Sequence, residues 1–160
     1  MKILFLDIDG PLIPGRAYTM PGQTKPIVMK FDPCAVGLIN NWCETRKWKL
    51  VIHSSWLRVF GAKETLAHCV KEGLKAEHFH EDATCEENLE RYTRVSKWLK
   101  DHPDTSHYMI LDDEPYRSYI SEDYPHPLDM KDHLIIVNFE NGIISQTMDK
   151  LNGQNSKVKS

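Results

Sequence analysis

The stretch LFLDIDGPL, residues 4–12, constrains the fold more than any other part of the chain. Ile3 to Leu6 run apolar without polar alternation, the pattern of a strand buried on both faces. The strand ends on Asp7 and Asp9, with Gly10 behind them. Carboxylates resist burial, so two acids at the end of a buried strand imply a site that uses them.

Strand and helix patterns alternate along the remaining sequence. Residues 11–26 are rich in Pro and Gly and read as a loop or small flap. Asp32-Pro33 supplies an N-cap followed by proline at the first helical position, and Ala35, Leu38, Ile39 and Trp42 share one face of the helix that follows. A strand over 48–53 ends at Ser54-Ser55. A helix over 62–72 points Ala62, Leu66, Cys69 and Val70 inward and stops at Gly73. A short strand over 74–79 and a helix over 86–101 follow, the helix with Leu89, Tyr92, Val95, Trp98 and Leu99 inward. The apolar run 107–111 ends on Asp112-Asp113. A polar loop over 114–132, a strand over 133–138, a turn at Asn141-Gly142 and a helix over 145–151 complete the chain. The pattern predicts an α/β fold, a three-layer Rossmann-like parallel sheet with helices on both faces. One domain is expected over 1–151, with a flexible polar tail at 152–160.

In such sheets the ligand site lies beyond the carboxyl ends of the strands. Three strands end there on polar pairs: Asp7 and Asp9, Ser54 and Ser55, Asp112 and Asp113. A lone DxD caps a turn more often than it builds a site. The further pairs at two other strand ends weigh against that reading. Four converging carboxylates need a cation to stay ionised together, and an all-oxygen set suits Mg²⁺. A strand-end hydroxyl suits phosphate oxygens, and the Gly10 turn lets backbone approach an anion. Of two acids on one turn, one can attack or hold metal while the other transfers protons.

Composition narrows the setting. Net charge is −3, which gives no global basic field for nucleic acid. No apolar run approaches membrane-spanning length, and the N-terminal run is too short for a signal-peptide core, so a cytoplasmic location is expected with no membrane partner. Cys34, Cys43, Cys69 and Cys85 form no CxxC pair and read as reduced thiols, Cys43 and Cys69 in the core.

LFLDIDGPL resembles the first motif of the haloacid dehalogenase-like (HAD) phosphatases, hhhhDxDG. VIHSS resembles their second motif and YMILDD their fourth. The wider pattern LDIDG…FDP…LIN…VIHSSW…RYTRVSKWL…ILDDE…NG resembles the small HAD domain of Swiss Army Knife RNA-repair proteins. Pro11 is a departure, standing where the family usually has Val or Thr and removing a backbone N–H. The resemblance implies that Asp7 is the nucleophile and forms an aspartyl-phosphate, and that Asp9 is the general acid and base. It implies Mg²⁺ on Asp7, the Asp9 carbonyl and Asp112, with Asp113 assisting. Ser54 or Ser55 would hold the phosphoryl group. The third-motif cation would be Arg91, nearest the helix start, or Arg94, with Lys97 further along on a solvated face.

Trp56 and Arg58 follow the serine pair, placed either to stack on a base and contact phosphate or to pack against the next helix. HFHED, residues 78–82, reads as a polar loop rather than a metal site, and residues 46–49 as a solvated helix end. Neither insertion point has room for a large cap domain, unless 74–88 form a small lid. An open site of this kind accepts a phosphate presented on a large partner. The expected substrate is a phosphomonoester at a polynucleotide end or on a nucleotide, recognised at the terminal nucleotide. A small metabolite, a phosphoprotein and a non-catalytic binding module are the alternatives.

Overall fold

The computed structural model describes residues 1–21, 30–120 and 130–157, with side chains as far as Gly153. β1 (Lys2–Leu6) is the middle strand of a five-stranded sheet. The order is β3 (Phe79–Thr84), β2 (Lys49–Ile52), β1, β4 (His107–Asp112), β5 (Leu134–Ile136), and every neighbouring pair is parallel.

The unalternating sequence of β1 has the expected cause, since Ile3, Leu4, Phe5 and Leu6 are all fully buried. Ile3 and Phe5 join Val51, Ile110 and Leu134 under Tyr92, Val95 and Trp98 of α4 (Arg91–Asp101). Leu4 and Leu6 face the opposite layer, with Ile39 and Trp42 of α1 (Pro33–Arg46), Leu57 of α2 (Trp56–Phe60), Cys69 of α3 (Ala62–Lys71) and Leu151 of α5 (Ser145–Lys157). The chain is thus a three-layer α/β sandwich around a parallel sheet. Among the described residues, no helix is long and apolar enough to cross a membrane.

Several elements differ from the sequence expectation. The strand expected over 74–79 lies at 79–84, after a short 3₁₀ turn at Ala76–His78. HFHED is therefore mostly edge strand, not loop, and residues 74–88 form no lid. Glu81 and Asp82 are exposed on that edge strand, where charge discourages pairing with another chain. The helix expected over 62–72 is preceded by α2, and Gly61 at φ +83° separates the two. Ala62 and Val70 are exposed, and Thr65 is buried instead. α4 begins at Arg91 rather than at 86. The flap expected over 11–26 holds a 3₁₀ turn at Gly15–Thr19, and residues 22–29 lie outside the described residues. The loop expected over 114–132 holds a 3₁₀ turn at Tyr116–Tyr119, and residues 121–129 also lie outside them. α5 runs to Lys157, so most of the segment expected as tail is helix.

α1 starts as its sequence dictates. Asp32 Oδ1 accepts from the Cys34 N–H at 2.9 Å, and Pro33 fills the first helical position. Arg16 Nε donates to Asp32 Oδ2 at 2.9 Å, pinning the loop after β1 to the helix start. α1 ends on Lys47 at φ 60°, the left-handed cap position that glycine usually fills. That turn brings Trp48 against Trp42, ring centroids 4.8 Å apart. Lys47→Gly removes the side-chain strain of a left-handed residue and is expected to stabilise the protein by about 0.5–1 kcal/mol, net of glycine's greater freedom in the unfolded chain. A raised urea midpoint at unchanged slope is the readout.

Candidate active site

The site follows from register. Phe5 pairs with Val51 on one side and Ile110 on the other, and all three face α4. Two residues on, with the strand period of two, the same face carries Asp7, His53 and Asp112. The ladder continues into this row, with the Asp7 N–H donating to the Leu111 carbonyl at 3.0 Å and the His53 N–H to the Leu6 carbonyl at 3.2 Å. The opposed layer, α4, opens at this edge with Arg91. Its guanidinium donates to Asp7 Oδ2 at 3.3 Å and also to Asp112 Oδ2.

Asp112 is the best-satisfied acid. It accepts from the Tyr119 hydroxyl and from the Glu114 N–H at 3.0 Å, besides Arg91. Burial pushes its carboxyl up, but nearby His53, Arg91, the Tyr119 hydroxyl and the Glu114 N–H together hold it below the usual carboxylate range. Asp7 is the opposite case. Its burial and the adjacent Asp112 charge raise it well above that range, against the pull of Arg91 and the Ser54 hydroxyl. Asp7 Oδ1 is buried without a hydrogen-bond partner. Burial pushes Asp113 up to about 6, with Asp112 adding to the effect. His53 lies 3.8 Å from Asp112, and burial pushes its ring down to about 4, so it is neutral near pH 7.

Asp7, Asp112 and Asp113 each bring a carboxylate oxygen within 4.8 Å of the others. This all-oxygen set fits a hard divalent cation, and Asp7 in addition holds a buried Oδ1 without a hydrogen-bond partner. Gly10 makes the approach of Asp113 possible. At φ +85°, a Cβ on residue 10 would lie 2.6 Å from Asp113 Cβ.

Asp9 sits apart from this row. Its Oδ2 accepts from the Trp56 indole N–H at 3.0 Å, and its burial raises its pKa. Trp56 is only 7% exposed, packed among Phe31, Phe60 and His68, so its side chain orients Asp9 from within the core. The turn directly after Asp9 closes without any donor from Pro11. Leu12 and Ile13 donate to the Ile8 carbonyl at 2.9 and 3.0 Å, and Gly10 donates to Ile13 at 3.1 Å.

Of the two serines, Ser54 is fully buried at the end of β2, where its hydroxyl oxygen accepts from the Trp56 backbone N–H at 3.3 Å. Ser55 is half-buried at the N-cap of α2. Of the two arginines, Arg91 meets the acids. Arg94 is buried, donating to the Leu89 carbonyl at 2.9 Å and the His53 carbonyl at 2.8 Å. It therefore ties the 86–90 segment to the end of β2, while also lining the groove beside Arg91. Lys97 pairs with Glu86 and Asp101 on the surface. Arg58 is exposed on the rim of a groove of about 440 Å³ that also holds Arg91, Arg117, Glu87, Glu90 and Glu114. Sequence reasoning missed Tyr119. It lies in a polar, irregular stretch with no period to mark it as buried.

The raised Asp7 carboxyl carries a stability consequence. Its contribution is fully present below its unfolded value, about 3.9, and is lost as pH rises through its folded value. In chelator-treated buffer at alkaline pH, Asp7→Asn is expected to melt about a few degrees above the wild type, and the gap to close as pH falls through the raised value of Asp7. Calorimetric scans across that pH range check it.

Comparison with known families places this geometry. The model of the HAD domain in Swiss Army Knife RNA repair proteins matches residues 3–148. No significant match is found among curated proteins or among solved structures. The match runs from β1 into α5 and includes every acid of the site, and the chain belongs to the family of HAD domains found in Swiss Army Knife RNA repair proteins.

Proposed function

We propose that the protein is a phosphomonoesterase that works through an aspartyl-phosphate on Asp7 and acts on nucleic-acid ends or nucleotides. One observation carries this reading: a buried carboxylate with a free oxygen, braced by an arginine, stands two residues from a second acid that is held separately.

The Asp7 carboxylate attacks phosphorus, and the bond to the leaving oxygen breaks as Asp9 delivers its proton there. Burial favours the protonated form of Asp9, which suits it to this first step. Asp9, now a carboxylate, takes a proton from water as that water attacks the phosphorus. The bond to Asp7 breaks and inorganic phosphate leaves. Trp56 holds Asp9 to its position through both steps. Arg91 keeps Asp7 oriented and offers positive charge to the phosphoryl oxygens, and Ser54 supports Asp7 from the end of β2.

Asp7, Asp112, Asp113 and the Asp9 carbonyl would hold Mg²⁺. When bound, the ion supplies charge neutralisation and orientation of the phosphoryl group.

Two features support a large or nucleotide substrate. Among the described residues no lid covers the carboxyl edge, because 79–84 is committed to the sheet. The groove beside Arg91 mixes Arg58 and Arg117 with three glutamates, which suits contact with one terminal nucleotide better than with a long backbone. The family's description as RNA repair domains points the same way.

The test measures phosphate release with and without Mg²⁺ from 3′- and 5′-phosphorylated oligonucleotides, mononucleotides and sugar phosphates. Release is expected to require Mg²⁺ and to fall on the order of 10³-fold or more in Asp7→Asn. Preference for a sugar phosphate would move the substrate to small metabolites. Undiminished release in Asp7→Asn would remove Asp7 as nucleophile.

A further inference from the structure

Tyr18 and Phe139 are 41% and 38% exposed, and they are neighbours, with ring centroids 6.4 Å apart and planes tilted by 41°. Neither takes part in the chemistry above. Both ride on segments fastened to the reactive loop. Tyr18 lies in the 3₁₀ turn that follows the Asp9–Ile13 bridge, and Arg16 of that turn is anchored on Asp32. The Phe139 carbonyl accepts from the Gly15 N–H at 2.8 Å. Three residues on, Gly142 presses against the loop so closely that a Cβ there would lie 2.9 Å from Pro14 and 3.3 Å from the Gly10 carbonyl. Two segments far apart in sequence thus present one aromatic surface fastened to the loop that carries Asp9.

The position relative to Asp9 gives the surface a role. Asp9 is the acid that serves the leaving oxygen, so whatever departs from phosphorus extends past it. Tyr18 is close enough that Asp9's charge, after burial, adds to raising its phenol pKa. Exposed paired rings at the rim of a polar site keep faces available for another flat ring. We propose that Tyr18 and Phe139 form a stacking platform for the heterocyclic base of the leaving nucleoside. This rests on the phosphatase reading for which group departs past Asp9.

The test pairs a binding arm with a turnover arm. The binding probe is an oligonucleotide ending in 2-aminopurine and lacking the terminal phosphate, so it mimics the product and cannot be turned over. Its fluorescence is expected to be quenched on binding the wild type, and the double variant Tyr18→Leu, Phe139→Leu to bind about tenfold more weakly with the quenching lost. Leucine keeps apolar bulk and removes only the rings; matched melting curves confirm folding, and Tyr18→Phe should retain quenching. In the turnover arm, the ratio of kcat/KM for a base-bearing terminal phosphate over an abasic one should fall about tenfold in the double variant. A folded double-leucine protein that keeps both quenching and base preference overturns the platform. So does a wild type that leaves the probe unquenched while self-associating through this patch. If no substrate is hydrolysed at all, the phosphatase reading fails while the quenching arm still decides whether these rings bind a base.

Discussion

A carboxylate at the end of a strand buried on both faces sets the terms for this structure. β1 has a parallel neighbour on each side and a helical layer above and below, so Asp7 has no route to bulk water along the sheet. An ionised group there needs a counter-charge, and α4 supplies Arg91 as its first helical residue. For Arg91 to reach the edge, the preceding residues must leave the helix, and Arg94 binds that segment back through the Leu89 and His53 carbonyls. Tyr119 and the Glu114 N–H then complete Asp112, which shares Arg91 with Asp7. Removing any one of these leaves another buried charge or polar group short of a partner.

The two acids of the DxD stretch show how one residue of spacing separates two environments. Asp7 continues the inward row of β1 and meets the arginine side of the sheet. Asp9 lies beyond the strand, where the loop curls back on the Ile8 carbonyl, and meets an indole N–H rather than a charge. One acid is held by a cation and another acid, the other by a neutral donor in a largely apolar setting. This division of surroundings suits identical side chains to different parts in the proposed reaction.

Much of this was legible in the sequence, for reasons that can be named. The apolar run of β1, the Asp32-Pro33 start of α1 and the polar pairs closing three strands are local signals, and parallel topology gathers those pairs at one edge. What stayed hidden depends on tertiary packing. The place of Phe79–Thr84 is set by pairing with β2 at an edge where polar residues are tolerated, so its polarity read as loop. Arg91 and Arg94 are three residues apart on one helix, and only the start of that helix at Arg91 and the tertiary partners of each separate their roles. Tyr119 reaches Asp112 from a stretch without periodicity. Trp56 was ambiguous because its indole ring packs while its N–H points at the site.

The contact of Gly142 with Pro14 and the Gly10 carbonyl has a consequence for how the protein is made. The loop bearing Asp9 is synthesised well before the turn that braces it, which follows some 130 residues later. Arg91 and Asp112 also come well after Asp7. A nascent chain therefore carries Asp7 and Asp9 without these partners until the segment through Gly142 has left the ribosome. The site is completed only once β5 and the turn at Gly142 are in place, so a chain released before them holds the acids without that bracing.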